Sequence, residues 1–141
     1  MTTNRSIAFI VKDQHPVTLT RNETVQHACQ RMAKRRVGAV LVTGDHGVLC
    51  GIFTGRDAVR ILGQAKDPAA TSLAAAMTPD PRTIAPDRTA VDALRLMNDC
   101  GFRHLPVVRD GRIVGIVSRG DFSAAELDRV EGETLLWERI A

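Results

Sequence analysis

The sequence Gly51-Ile-Phe-Thr-Gly-Arg-Asp57 has a close counterpart later in the chain, Gly115-Ile-Val-Ser-Arg-Gly-Asp121. Both stretches place a hydroxyl residue three positions after a glycine, and an aspartate three positions after the hydroxyl. The apolar residues predict the end of a strand, and a hydroxyl followed three residues later by an acid is typical of a helix start. The sequence therefore predicts the same strand-to-helix junction twice.

The duplication extends over most of the chain. With an offset of 65 residues, residues 16–42 align with residues 81–107, and with an offset of 64 the two junctions coincide. Ten positions are then identical and occur in the same order. Such self-similarity indicates one structural unit present in two copies. We assign the copies to residues 6–65 and 72–130, followed by a helical tail over residues 131–141.

Each copy predicts the same β-α-β-β-α order, which makes the fold class mixed α/β (α+β). The strands are indicated by β-branched runs, the first helix by apolar residues at helical spacing, and its start by Thr24 or Thr89 as N-cap. The predicted first strands are Pro16–Leu19 and Arg82–Ile84, and the predicted last helices are Arg56–Leu62 and Asp121–Val130. Within each copy a short element comes before the β-α-β-β-α unit. Ser72–Met77 predicts a turn of helix, whereas Ser6–Lys12 is a strand by propensity or a helix by analogy, and we favour the helix.

Composition excludes several classes of protein. The 141 residues are 44% hydrophobic and 25% charged, which is typical of a folded soluble domain rather than a disordered chain. The net charge of +3 favours small anionic ligands but is low for a polyanion-binding surface. The apolar run Ile7–Val11 is too short for a signal peptide or a membrane span. We therefore expect a cytoplasmic protein.

The sequence offers no recognisable metal or catalytic site. Its three cysteines show no C-x-x-C spacing, and its four histidines form no i, i+4 pair. No nucleophile–base pair or glycine-rich catalytic loop is apparent. We expect no metal, no catalytic cofactor and no enzymatic activity.

The junctions carry the chemistry that points to a ligand. A helix N-terminus presents free amides that favour a phosphate, and an aspartate there is suited to accept hydrogen bonds from the two hydroxyls of a ribose. The alternative is a capping box, in which the hydroxyl and the acid serve only the helix. Two copies in fixed register favour the ligand, and the two interpretations are compatible.

These motifs, together with Arg103-His-Leu-Pro-Val-Val108, resemble a pair of CBS domains (cystathionine β-synthase domains), also called a Bateman module. The resemblance covers residues 6–130 and is greatest to small stand-alone bacterial CBS-pair proteins. It implies two repeats packed about a pseudo-two-fold axis, with two clefts that bind adenosyl ligands such as AMP, ADP, ATP, NAD(H) or S-adenosylmethionine. It also implies a homodimer with a regulatory role that acts through an unidentified effector protein.

Carried onto this sequence, the resemblance implies that the aspartate of one repeat holds the ribose while strands of the other repeat surround the base. One predicted set is Thr54, Arg56 and Asp57 with Thr83, Phe102, Arg103 and His104. The other predicted set is Ser118, Arg119 and Asp121 with Thr18, Val37, Gly38 and Ala39. Because Arg103-His104 in the first set is bulky and basic whereas Gly38-Ala39 in the second is small and neutral, we expect unequal occupancy.

The function expected from the sequence is thus that of a sensor of adenine nucleotides. Two alternatives remain open at this point: an interaction module whose clefts stay empty, and a nucleic-acid-associated protein, suggested by the isoelectric point near 9.1.

Overall fold

The computed structural model describes residues 4–140, without the side chains of residues 134, 137 and 140. The chain divides into two compact units. The first-repeat unit consists of His15–Arg82 and Asp110–Ile113. The second-repeat unit combines the chain up to Gln14 with Thr83–Arg109 and the chain from Val114 onward. The predicted mixed α/β (α+β) class is confirmed.

Helices and strands alternate along the chain. In chain order they are α1 (Ile7–Val11), β1 (Thr18–Thr20), α2 (Val25–Arg35), β2 (Ala39–Thr43), β3 (Leu49–Thr54), α3 (Gly55–Gly63), α4 (Leu73–Ala76), β4 (Thr78–Pro79), α5 (Ala90–Cys100), β5 (His104–Arg109), β6 (Arg112–Ser118) and α6 (Ala124–Ile140). No helix within residues 4–140 is both long and apolar enough to cross a membrane.

The first-repeat unit contains a four-stranded sheet in the order β1-β2-β3-β4. Strand β1 runs parallel to β2, whereas β3 is antiparallel to both of its neighbours. Thr24 is the N-cap of helix α2, as predicted, and its hydroxyl accepts the His27 N–H. Its apolar residues pack with the sheet into one core, whose fully buried members include Val40, Val42 and Phe53.

The second-repeat unit contains a two-stranded sheet of β5 and β6. The predicted strand Arg82–Ile84 is wrong in extent, because only Ile84 forms a parallel bridge, to Val107. Pro81 and Pro86 flank this stretch and have no N–H to contribute to a ladder. Thr89 is the N-cap of helix α5, as predicted, and its hydroxyl accepts the Asp92 N–H.

The short helices α1 and α4 are exchanged between the two units, because each packs in the core of the other repeat. Helix α1 lies at the start of the first repeat, yet Ile7 and Val11 lie in the core of the second-repeat unit. Helix α4 lies at the start of the second repeat, yet Leu73 and Ala76 lie in the core of the first-repeat unit. The prediction of a helix at Ser6–Lys12 is confirmed. The limits 6–65 and 72–130 therefore describe the sequence repeats but not the compact units.

Equivalent hydrogen bonds connect each short helix to the segment just before the long helix of its unit. Ile7 N–H donates to the Arg88 carbonyl at 2.8 Å, and Leu73 N–H donates to the Glu23 carbonyl at 2.8 Å. The capping residues also pair as isolated bridges, Ser6 with Thr89 and Thr24 with Ser72. Each short helix thus satisfies backbone groups next to the start of a long helix, where a chain needs external partners.

The second junction departs from the predicted helix Asp121–Val130. Residues Arg119–Asp121 form a single 3₁₀ turn, Phe122 is extended, and α6 begins only at Ala124. The cause is a second capping pair, because Ser123 N–H donates to Glu126 Oε1 at 2.8 Å and Glu126 N–H donates to Ser123 Oγ at 3.2 Å. Helix α6 then continues through Gly132 to Ile140, so the predicted tail is part of it. Ala141 lies outside the described residues.

Glycines at the third strand of each repeat allow another segment of the same unit to lie against it. A Cβ built on Gly51 would lie 2.3 Å from Met77 Sδ and 3.1 Å from the Thr78 carbonyl oxygen. A Cβ built on Gly115 would lie 2.8 Å from Val11 Cβ. The close approach is therefore made by the end of α1 in the second-repeat unit and by the residues that follow α4 in the first-repeat unit.

We expect Gly115→Ala to lower the free energy of unfolding by about 1–3 kcal/mol, because the added methyl group overlaps a β-branched side chain that cannot move aside. The matched control is Gly132→Ala, which adds the same methyl group where no atom lies within 4 Å. It should raise stability by about 0.5–1 kcal/mol, since alanine is the better helix former. Urea denaturation measures both, and an unchanged Gly115→Ala would contradict the packing described.

Candidate functional site

The first junction is a capping box closed on one carboxylate oxygen of Asp57. Thr54 donates its N–H to Asp57 Oδ2 at 3.0 Å and its hydroxyl to the same oxygen at 3.2 Å. In return the Asp57 N–H donates to Thr54 Oγ1 at 3.4 Å. This arrangement starts α3 as the sequence predicted.

The other carboxylate oxygen of Asp57 is also engaged. Arg60 Nη2 lies 3.1 Å from Asp57 Oδ1, and the Thr78 hydroxyl lies 3.5 Å from it. The same Arg60 nitrogen donates to the Ala76 carbonyl at 2.7 Å. Asp57 is only 7% exposed, so its carboxylate is enclosed by protein partners that include a cation.

The second junction repeats half of this arrangement. Ser118 donates its N–H to Asp121 Oδ2 at 2.8 Å and its hydroxyl at 3.2 Å. Among the side chains that the structure describes, none donates to Oδ1, and the residue is exposed. Arg5 Nη2 donates instead to the main-chain oxygen of Asp121 at 2.9 Å and so holds the turn from outside.

The two aspartates are therefore unlike, which corrects the expectation of equivalent carboxylates at two helix starts. Asp57 lies in the first turn of a continuous helix, where a residue three positions on is its neighbour, and that residue is Arg60. Asp121 ends an isolated 3₁₀ turn, and the chain leaves the helical conformation at Phe122. No helical neighbour can reach its carboxylate.

Within each unit, the start of the second strand lies beside the junction. In the first-repeat unit Ala39 pairs with Thr54, and Gly55 N–H donates to the Gly38 carbonyl at 3.1 Å. These are small residues, so the backbone next to the Thr54 cap carries little side-chain bulk.

The same neighbourhood in the second-repeat unit is basic. Arg119 N–H donates to the Arg103 carbonyl at 3.1 Å, which places the two arginines next to each other at the junction. Burial lowers the pKa of the adjacent His104, and Arg103 lowers it further, whereas the Asp121 carboxylate opposes both. The His104 imidazole is therefore neutral at pH 7.

The remaining predicted site residues lie at the edges of these neighbourhoods. Thr18, Thr83 and Arg56 are exposed, Val37 is 39% exposed, and Phe102 is half-buried against the core of the second-repeat unit. The structure thus groups the predicted residues by unit, with Gly38 and Ala39 near Thr54, and Arg103 and His104 near Asp121. The two ligand sets implied by the resemblance remain predictions.

The sequence reasoning missed four residues that decide the state of the carboxylates. Arg60 and Thr78 engage Asp57, and Arg5 and Glu126 support the turn of Asp121. Two of them had a signal: Arg60 lies three positions after Asp57, and Ser123-Ala-Ala-Glu126 is a capping-box pattern. Arg5 and Thr78 are brought in by the exchange of α1 and α4, which spacing does not reveal.

Glu126 is a buried charge with a full set of partners. Its carboxylate is completely inaccessible and accepts hydrogen bonds from Arg5 Nη2 at 2.7 Å, the Arg5 N–H at 2.9 Å and the Ser123 N–H at 2.8 Å. Burial opposes its ionisation, but the hydrogen bonds from Arg5 and Ser123 outweigh burial and lower the pKa of Glu126 to about 2.

Known proteins match this chain along most of its length. A family model described as CBS domain matches residues 10–64 and 71–128. The CBS domain-containing protein CBSCBSPB1 of Arabidopsis thaliana is 38% identical over 102 residues, which are 72% of this chain and 19% of that protein. The chain thus spans about a fifth of that relative. The CBS domain-containing protein YhcV of Bacillus subtilis is 34% identical over 111 residues, 78% of each chain.

Solved structures match the whole fold. A protein with CBS domains from Burkholderia ambifaria superposes with a TM-score of 0.77 at 31% identity, over 89% of this chain and 93% of that one. The CBS domain pair of protein MJ0100, in complex with 5′-methylthioadenosine and S-adenosyl-L-methionine, has a TM-score of 0.76 at 25% identity, over 92% and 97%. Protein PAE2072 from Pyrobaculum aerophilum, complexed with AMP, shares the fold with a TM-score of 0.81 at 24% identity, over 90% and 98%.

We expect Glu126→Gln to lower stability at neutral pH and to flatten its acid dependence. A pKa lowered from 4.5 to about 2 in the folded protein adds up to about 3 kcal/mol above pH 5, which is lost as the pH falls toward 2. Urea denaturation at pH 7, 4 and 2.5 measures this. The control Glu133→Gln removes a carboxylate from the exposed Arg95–Glu133 pair and should cost less, because water screens that pair. Equal acid dependence in wild type and Glu126→Gln would contradict the assignment.

Proposed function

The chain belongs to the CBS-domain family, and from that premise we propose that it is a regulatory module that binds an adenosyl ligand. The observation that supports this most directly is the exposed carboxylate of Asp121, which keeps one oxygen without a donor among the described side chains. Such an oxygen can accept hydrogen bonds from sugar hydroxyls. Two proteins of the same fold are complexed with AMP or with S-adenosylmethionine and methylthioadenosine, which supports the choice of an adenosyl compound.

The proposed ligand contacts are those implied by the resemblance, with Asp57 set apart because its carboxylate already binds Arg60 and Thr78. They comprise the junction residues Thr54, Arg56, Ser118, Arg119 and Asp121, and the strand residues Thr18, Val37, Gly38, Ala39, Thr83, Phe102, Arg103 and His104. Their chemistry suits a nucleotide, because small residues leave room for a base while the arginines supply charge for phosphate. The neutral His104 imidazole retains one acceptor and one donor for a base or sugar.

The proposed activity is binding rather than catalysis. Its output would pass to an effector protein or through a homodimer, because binding energy at one site can act elsewhere only through a second site that responds to it. A cytoplasmic location remains part of the proposal and rests on the short apolar run Ile7–Val11 and on three cysteines whose spacing predicts no disulfide framework.

We expect an adenosyl compound to raise the melting temperature. A ligand at 100 times its dissociation constant stabilises the folded state by about 2.7 kcal/mol, which is several degrees for a chain of this size. Thermal unfolding is measured with AMP, ADP, ATP, NADH and S-adenosylmethionine, and with adenine alone as the control that lacks the sugar.

A short DNA duplex tests the remaining alternative. No shift with any adenosyl compound would favour an interaction module without a ligand. A shift with DNA alone that disappears at high salt would favour nucleic-acid association, because binding to phosphates releases counterions.

A further inference from the structure

The two junction aspartates use one oxygen in the same way. Oδ2 of Asp57 accepts the N–H and hydroxyl of Thr54, and Oδ2 of Asp121 accepts the N–H and hydroxyl of Ser118. An ionised carboxylate oxygen has two lone pairs, so Oδ2 is filled in both cases. Recognition of a sugar by either residue therefore depends on Oδ1.

Oδ1 of Asp57 is not free for a ligand. It carries the Arg60 guanidinium at 3.1 Å and the Thr78 hydroxyl at 3.5 Å, in a side chain that is only 10% exposed. A sugar hydroxyl would have to displace a charge-assisted hydrogen bond with a neutral one, which is the weaker of the two. It would also separate the Asp57 carboxylate, which is only 10% exposed, from its cation, although the Arg60 side chain itself is 44% exposed.

The partners of Asp57 connect three elements of the first-repeat unit. Arg60 joins the Asp57 carboxylate to the Ala76 carbonyl, and Thr78 belongs to β4, so helix α3 is tied to both α4 and β4. The same segment supplies Met77, which lies over Gly51. Asp57 is thus part of the framework of the first-repeat unit.

Asp121 has the opposite surroundings. Its residue is exposed, its Oδ1 has no donor among the described side chains, and the position three residues on is Ala124, which has no polar atom to offer. The backbone that carries it is nevertheless fixed, because Arg5 Nη2 bonds its main-chain oxygen at 2.9 Å and also bonds Glu126. A fixed backbone with an unengaged oxygen is the arrangement that a binding group needs.

We propose that Asp121 alone holds the sugar hydroxyls of the adenosyl ligand, and that Asp57 is a structural latch, so that the chain binds one adenosyl ligand rather than two. This inference rests on the proposed function and gives Asp57 no contact with the ligand. It assigns the unequal occupancy expected from the sequence to the junction of the second repeat.

Isothermal titration calorimetry with AMP, ADP, ATP, NADH and S-adenosylmethionine tests the assignment on the full chain. Wild type should bind one equivalent per chain. Asp121→Asn should weaken binding at least about tenfold, because a hydrogen bond to a charged group contributes roughly 1.5–3 kcal/mol. Asp57→Asn should keep the stoichiometry and bind within about threefold of wild type, while its melting temperature falls because the latch is lost.

Asp92→Asn is the matched control, because Asp92 forms the same kind of capping box with Thr89 outside the proposed contacts. A second comparison uses 2′-deoxy-AMP, which lacks one sugar hydroxyl. It should bind wild type more weakly than AMP does, and the difference should shrink in Asp121→Asn, because the asparagine oxygen stays with the Ser118 donors and an NH2 group replaces the acceptor Oδ1.

The outcomes separate the two proposals. Two equivalents in wild type, loss of binding in a folded Asp57→Asn, or full affinity in Asp121→Asn would overturn the assignment and leave the proposed function standing. Binding of none of the five compounds by wild type would overturn both. If Asp57→Asn does not fold, the wild-type stoichiometry and Asp121→Asn decide the question, since Asp121 is exposed and its replacement leaves the cores intact.

Discussion

The third strand of each repeat lies against the end of a short helix or the residue directly after it, and this close contact is the constraint on which the rest of the structure depends. Gly51 and Gly115 allow it, because a side chain at either position would overlap Met77 or Val11. These residues arrive there because α1 completes the core of the second-repeat unit and α4 that of the first-repeat unit. Neither repeat of the sequence therefore contains its whole core, and the helix that each lacks lies at the start of the other repeat.

The exchange of helices brings different side chains to two similar junctions. In the first-repeat unit it brings Thr78 to the Asp57 carboxylate and the Ala76 carbonyl to Arg60. In the second-repeat unit it brings Arg5, which bonds the main chain of Asp121 and leaves the carboxylate alone. The same architecture thus turns one aspartate into part of the framework and holds the other in place without using its second oxygen.

Most of the fold could be predicted from the sequence, because its signals are local. In α2 and in α5 the N-cap, Thr24 or Thr89, comes directly before the apolar periodicity of the helix. The structure confirms both helix starts. The start of α6 was predicted too early, because two capping patterns follow one another at Ser118-Asp121 and Ser123-Glu126. Only packing with Arg5 decides which of them starts the helix. The contact between Thr78 and the Asp57 carboxylate could not be predicted for a similar reason, since the two residues lie 21 positions apart in the sequence.

The difference between the junctions follows from where each helix begins. The buried Glu126 starts α6 at Ala124, because its carboxylate is bonded to Ser123 and Arg5. Removing a buried acid from its cation would leave an uncompensated charge, so this start is strongly enforced. The salt bridge thereby fixes the backbone beside Asp121 without touching the Asp121 carboxylate, whereas α3 continues from Gly55 and brings Arg60 to Asp57. Ala124, three residues after Asp121, has no polar side-chain atom, so Oδ1 of Asp121 stays open.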